Sequence, residues 1–161
     1  LEGAALGLKP GLSYEEIIRG VQGYETVGSR ANVAKTDLIT LIDDCYNANP
    51  DSVKCGIDSM PDTGRRVCIL GDMLELGENK AELHAEVGRY AEEKGVEMLI
   101  TVGVLAENIT SAVSVEAHHF STNAELIAEL PNLIRKGDTV LVKASHSMRF
   151  EEISEALKLL K

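Results

Sequence analysis

Short, nearly uninterrupted apolar runs recur along this chain, and each leads into a segment with apolar residues at helical spacing. The runs are residues 67–70, 98–102 and 139–142. A strand with one wet face alternates apolar and polar residues, whereas a strand that is apolar throughout must be covered on both faces. Leu83, Val87, Tyr90 and Ala91 mark a helix stopped by Gly95, and Leu105, Ile109 and Val113 mark another. Thr122 with Glu125 caps a third that carries Leu126, Leu130 and Leu133, and Ile153, Leu157 and Leu160 mark the last. His119-Phe120 is a weak, short strand between them. Residues 30–35 and 38–43 read as two strands of a hairpin turning at Thr36-Asp37. The pattern predicts an α/β fold with a doubly wound, mostly parallel sheet, an N-terminal hairpin strand and helices on both faces.

Upstream of the hairpin the pattern changes. Residues 1–12 look like the tail of a helix. Ser13 and Glu16 form a capping box that opens a short helix carrying Ile17, Ile18 and Val21 and ending near Gly23. Residues 24–29 read as a linker, which places a domain boundary there. With 161 residues the chain has room for one full domain and a fragment of another. Its first residue is Leu1, so a piece of a longer protein is expected.

Charge and composition narrow the function. A net charge of -10 argues against a nucleic-acid partner, which needs a basic patch to neutralise phosphates. Aromatics at 4% with no Trp disfavour base-stacking platforms. No apolar run approaches the roughly 20 residues that span a bilayer, and no signal peptide is visible, so no membrane insertion is expected. Cys45, Cys55 and Cys68 are odd in number, widely spaced and set among apolar residues. That spacing suits neither a disulfide framework nor zinc, and it predicts buried, reduced thiols and a cytoplasmic location.

The chemistry clusters where strands end. Residues 41–52 begin apolar, turn polar through Asp43-Asp44-Cys45-Tyr46-Asn47, and then present Asn49 as an N-cap with Pro50 at the first helical position. A strand, a loop and a helix N-terminus within twelve residues make an anion site possible. Asn49 has two open readings, helix cap and ligand contact. Gly71, Asp72 and Met73 follow the next strand, Gly103 the one after, and Lys143, Ala144, Ser145 and His146 the last. In open α/β sheets ligands sit at this carboxyl edge. Asp72 is as well suited to orienting loops as to touching a ligand. Glu75 reads as structural, and His84 as a packing or surface residue. His118 and His119 are adjacent on a strand and point apart, so no metal site is expected.

Four stretches occur together in a recognisable order: Gly28-Ser29-Arg30; residues 41–52; residues 69–77, with His84 and Gly88 downstream; and Val142-Lys143-Ala144-Ser145 ahead of Met148 and Glu151. Over essentially its whole length the chain resembles the C-terminal part of the Mur ligases. The Asp-Asp-x-Tyr-Asn-Ala-Asn-Pro and Gly-Asp-Met-x-Glu-Leu-Gly stretches point to the branch that joins D-alanyl-D-alanine to a UDP-N-acetylmuramoyl-tripeptide.

The resemblance implies a Rossmann-like domain of a peptidoglycan ligase. In such enzymes ATP phosphorylates the tripeptide carboxylate, and the dipeptide amine then attacks the acyl phosphate. It further implies that residues 1–27 are the tail of a central ATPase domain and 28–161 the C-terminal Mur ligase domain. The chain has no Gly-x-x-Gly-Lys-Thr/Ser element, so the main grip on ATP and Mg2+ would lie in its own upstream domains. The fragment would be inactive alone and would hold no metal ligand or assignable catalytic residue; a monomer is expected. Carried over by position, Arg30, Asp44, Tyr46 and Asn47 would meet ATP. Asn49, Lys143, Ser145 and His146 would meet D-alanyl-D-alanine. Two departures stand out: the family reads Lys-Gly-Ser-Arg where this chain has Ala144 and His146. Losing Gly would restrict the loop, and an imidazole replaces the Arg cation only when protonated.

Two rivals remain. Asp43, Asp44, Asp72, Thr101 and Lys143 mimic a phospho-receiver domain, but only one helix separates the acidic pair from Asp72, where a receiver needs a further strand and helix. A non-catalytic nucleotide-sensing module is the other.

Overall fold

A computed structural model describes residues 11–22 and 32–161. The expectations for residues 1–10, for the 24–29 linker with its domain boundary, and for Arg30 lie outside the described residues.

Helix α1 (Tyr14–Gln22) opens on the predicted capping box. The Ser13 amide donates to Glu16 Oε2 at 2.8 Å, and the Glu16 amide donates to Ser13 Oγ at 3.3 Å. Strands β1 (Asn32–Lys35) and β2 (Thr40–Asp43) pair antiparallel, with Asn32 opposite Asp43. Their turn is wider than Thr36-Asp37. Thr36 Oγ1 accepts from the amides of Leu38 and Ile39, so Thr36 closes the whole 36–39 turn.

From β2 the chain runs through α2 (Pro50–Asp58), β3 (Arg66–Gly71), α3 (Lys80–Glu93), β4 (Met98–Val102), α4 (Glu107–Thr110), β5 (Glu116–Phe120), α5 (Asn123–Leu133), β6 (Thr139–Lys143) and α6 (Glu151–Lys158). One six-stranded sheet results, in the order β1-β2-β6-β3-β4-β5. Every pair except β1–β2 is parallel. The expected fold is therefore the observed one. Helix α4 is shorter than the 105–113 spacing predicts; four of the five residues after Thr110 (Ser111, Val113, Ser114 and Val115) are weak helix formers.

The strand period sorts the core into two layers. Ile42, Cys68, Leu70, Leu99 and Leu141 point to one face, where they meet Val53 and Ile57 of α2, Val87 and Ala91 of α3, and Ile109 of α4. Leu41, Val67, Ile69, Met98, Ile100, Val140 and Val142 point to the other and meet Leu126 and Leu130 of α5 and Ile153 and Leu157 of α6. Right-handed crossovers require this arrangement. The chain steps outward from β2 to β5 with its helices on one face, then returns to β6 with them on the other.

Cys45 and Cys68 are buried, as expected, but Cys55 is exposed. It lies between Val53 and Ile57 on α2, both of which turn inward, so its position faces away from the sheet. An apolar sequence neighbourhood on a helix does not imply a buried side chain. No helix among the described residues is long and apolar enough to cross a membrane.

Candidate functional site

Strand β6 enters the sheet between β2 and β3. The loops leaving β2 and β3 pass to helices on one face, whereas the loop leaving β6 passes to α6 on the other. Neighbouring strand ends therefore send their chains apart, and a crevice opens between them. It is a cleft of about 620 Å³ lined by residues 46–49 after β2, 74–76 after β3 and 145–147 after β6.

The wall after β2 is held from beneath. Lys143 at the end of β6 is 3% exposed in its side chain, and its Nζ lies 2.5 Å from Asp44 Oδ2. The same ammonium donates to the Asn47 carbonyl at 2.8 Å. Asn47 Oδ1 accepts from the Ala48 amide at 2.9 Å. Asn49 caps α2 with a reciprocal pair: its Oδ1 accepts from the Ser52 amide at 2.8 Å, and Ser52 Oγ accepts from the Asn49 amide at 3.0 Å. Asp43 turns to the opposite face. Its Oδ2 is 3.9 Å from Lys158 Nζ, and its Oδ1 is buried without a hydrogen-bond partner among the described residues. Burial pushes the neighbouring Cys45 thiol up, and Asp43 adds to the shift.

The wall after β3 hangs from three side chains. Asp72 Oδ1 accepts from the amides of Leu105 and Ala106 at 2.9 and 2.8 Å, which ties the loop to the turn after β4. Gly103 makes this possible, since a Cβ there would lie 2.5 Å from the Asp72 carboxylate. Buried His84 accepts from the Met73 amide through Nε2 at 2.9 Å and faces the Lys80 carbonyl through Nδ1 at 2.6 Å. Both roles demand a neutral ring protonated at Nδ1. Ser145 Oγ accepts from the Leu74 amide at 2.9 Å. Glu75 follows with φ +63°, a left-handed backbone in a residue that has a Cβ.

The wall after β6 accommodates both departures from the family pattern. Ala144 is fully buried, and its backbone is not left-handed, so this position does not require Gly. Its methyl occupies the space that Gly71 leaves; a Cβ on residue 71 would come within 2.7 Å of it. Ala144 therefore sits in this conformation without left-handed strain. His146 stands at the cleft, with its ring centroid 6.1 Å from that of Tyr46.

Five of the predicted ligand residues thus line one cleft: Tyr46, Asn47, Asn49, Ser145 and His146. Asp44 and Lys143 pair with each other and are not among the lining residues. Glu75, read as structural, lines the cleft; the unusual φ that marks it is not visible in a sequence. The set a phospho-receiver needs is not assembled: Asp43 faces Lys158, Asp44 holds Lys143, and Asp72 caps a turn. Among the described residues, no three His, Cys, Asp or Glu side chains are grouped to hold a metal ion.

A family model described as Mur ligase, glutamate ligase domain, matches residues 29–146. The chain belongs to the Mur ligase family. Among curated Mur ligases, the UDP-N-acetylmuramoyl-tripeptide–D-alanyl-D-alanine ligase of Bacillus subtilis is 32% identical over 95% of this chain and 35% of its own length. The Escherichia coli enzyme of the same name is 34% identical over 98% of this chain and 36% of its own. The chain therefore spans about a third of the length of the curated relatives it matches. Among solved Mur ligases, MurF of Acinetobacter baumannii superposes with a TM-score of 0.84 at 27% identity, covering 96% of this chain and 35% of that one. MurF of Thermotoga maritima, solved in complex with ADP, gives 0.80 at 26% identity with coverages of 96% and 35%.

Proposed function

We propose that this chain is the C-terminal domain of an ATP-dependent ligase that adds D-alanyl-D-alanine to UDP-N-acetylmuramoyl-tripeptide in peptidoglycan synthesis. The observation that carries this reading is geometric. The two stretches diagnostic of that branch, around Tyr46-Asn47-Ala48-Asn49 and Leu74-Glu75-Leu76, form two walls of a single cleft at the sheet's switch point.

In this reading ATP phosphorylates the terminal carboxylate of the tripeptide, the dipeptide amine attacks the acyl phosphate, and ADP and phosphate leave. Tyr46 and Asn47, with Asp44 behind them, form the nucleotide side of the cleft, and Arg30 reaches the phosphates. Asn49, Ser145 and His146 form the dipeptide side, and Lys143 acts beneath them. The triphosphate grip and Mg2+ belong to domains upstream, with residues 1–27 as their tail and 28–161 as the present domain. An acyl phosphate needs a site closed to water, and a cleft open on one side supplies the half that such a closure completes. The protein works as a monomer in the cytoplasm.

The test uses the product of the parent gene with whatever precedes Leu1. Phosphate release from ATP is followed with UDP-N-acetylmuramoyl-tripeptide present, adding D-alanyl-D-alanine in one reaction and a single amino acid in another. Release with the dipeptide alone is expected. Release with the single amino acid would move the chain to a sister ligase, and no release with either would sink the enzymatic reading.

A further inference from the structure

We propose that Glu75 is a specificity-determining residue of the cleft, its carboxylate taking the ammonium of the incoming amino component. This rests on the reading that the cleft admits that component. Glu75 is the only carboxylate among the described residues lining the cleft; it is exposed there and makes no hydrogen bond or ion pair with a described residue. Three other acids at this edge are held elsewhere: Asp43 lies by Lys158, Asp44 pairs with Lys143, and Asp72 accepts from two amides.

The backbone adds a second argument. At φ +63° Glu75 holds a conformation that disfavours any residue with a Cβ. The two residues before it are pinned in place, Met73 by His84 and Leu74 by Ser145. Strain of this kind persists where the surroundings over-determine it.

The third argument is complementarity. On the dipeptide side, Asn49 spends its side-chain oxygen on the amide of Ser52, which leaves its NH2 group as a donor at the cleft. His146 stands beside it. A zwitterionic dipeptide carries an ammonium at one end and a carboxylate at the other. The Glu75 wall accepts hydrogen bonds and the Asn wall donates them.

The experiment is steady-state kinetics on the product of the parent gene. Glu75→Gln keeps size and removes the charge. Its KM for D-alanyl-D-alanine rises about 10- to 100-fold, the range for losing one hydrogen bond to a charged group, while the KM for ATP stays within about twofold. N-propionyl-D-alanine, which lacks the ammonium, inhibits the wild type and Glu75→Gln equally. Glu75→Asp recovers part of the affinity. Glu75→Gly relieves the left-handed strain, folds at least as stably as the wild type and shows the same rise in KM; it serves if Glu75→Gln misfolds. An unchanged dipeptide KM overturns the proposal. So do parallel rises in both KM values, or weaker inhibition by N-propionyl-D-alanine in Glu75→Gln. Failure of the wild type to use the dipeptide at all is a separate outcome, which defeats the functional reading itself and this proposal with it.

Discussion

Lys143 has lost almost all contact with water, and its charge is balanced by one carboxylate 99 residues away in sequence. Removing one member of such a pair strands the other. Lys143→Met should destabilise the protein by about 3 kcal/mol, and Asp44→Asn should also be destabilising. The double variant should cost less than the sum, with a coupling of about 1 kcal/mol or more in urea denaturation. A coupling of only a few tenths, as for exposed pairs, would mean that the contact does not hold the loop. That Lys143, Asp44, Tyr46, Asn47, Asn49, Ser145 and His146 gather at the strand ends was legible in the sequence. That two of them spend their charges on each other was not, because nothing local in either segment encodes the distance between them.

Helix α2 shows what local sequence does encode. Asn49, Pro50 and Ser52 are a cap, a first-turn Pro and a reciprocal cap partner, all within four residues, and the structure realises each of them. Asn49→Ala should cost about 1 kcal/mol, and Asn49→Ser, which keeps a capping oxygen, should stay within about 0.5 kcal/mol of the wild type. Thermal denaturation of the two variants checks this. The Ser variant also drops the carboxamide NH2, so a loss of dipeptide affinity without a loss of stability would separate Asn49's two roles. Elements whose signals lie within a few residues were read correctly, as the Ser13–Glu16 box and the Thr122 cap also show. Lengths were read less well. The 105–113 spacing overran α4, where apolar period and helix propensity disagree.

At the scale of the whole molecule, global stability is linked to pH through a thiol at the centre of the sheet. Cys68 is fully buried in β3, and burial pushes its pKa up from 9.0 to about 12, with Arg66 opposing. The folded protein therefore keeps this proton where the unfolded chain releases it. The thiol makes no difference below about pH 9, and stability should fall between about pH 9 and 12 by up to about 1.4 kcal/mol per unit. Cys45 is shifted in the same direction and adds to the fall. Urea midpoints measured from pH 7 to 10.5 should decline more steeply for the wild type than for Cys68→Ala. Equal slopes would show that this thiol is not shielded in the folded state.

The periodicity of the chain determined the elements, their class and the two-faced sheet, because helix and strand periods and their caps act over a few residues. Tertiary structure alone decided that β6, the last strand made, lies between β2 and β3. It likewise decided that Gly71 leaves room for Ala144 and that Glu75 is held left-handed at the cleft. Each of these depends on which distant segments become neighbours in the sheet. That is settled by packing the two apolar faces together, and no window of sequence contains both partners.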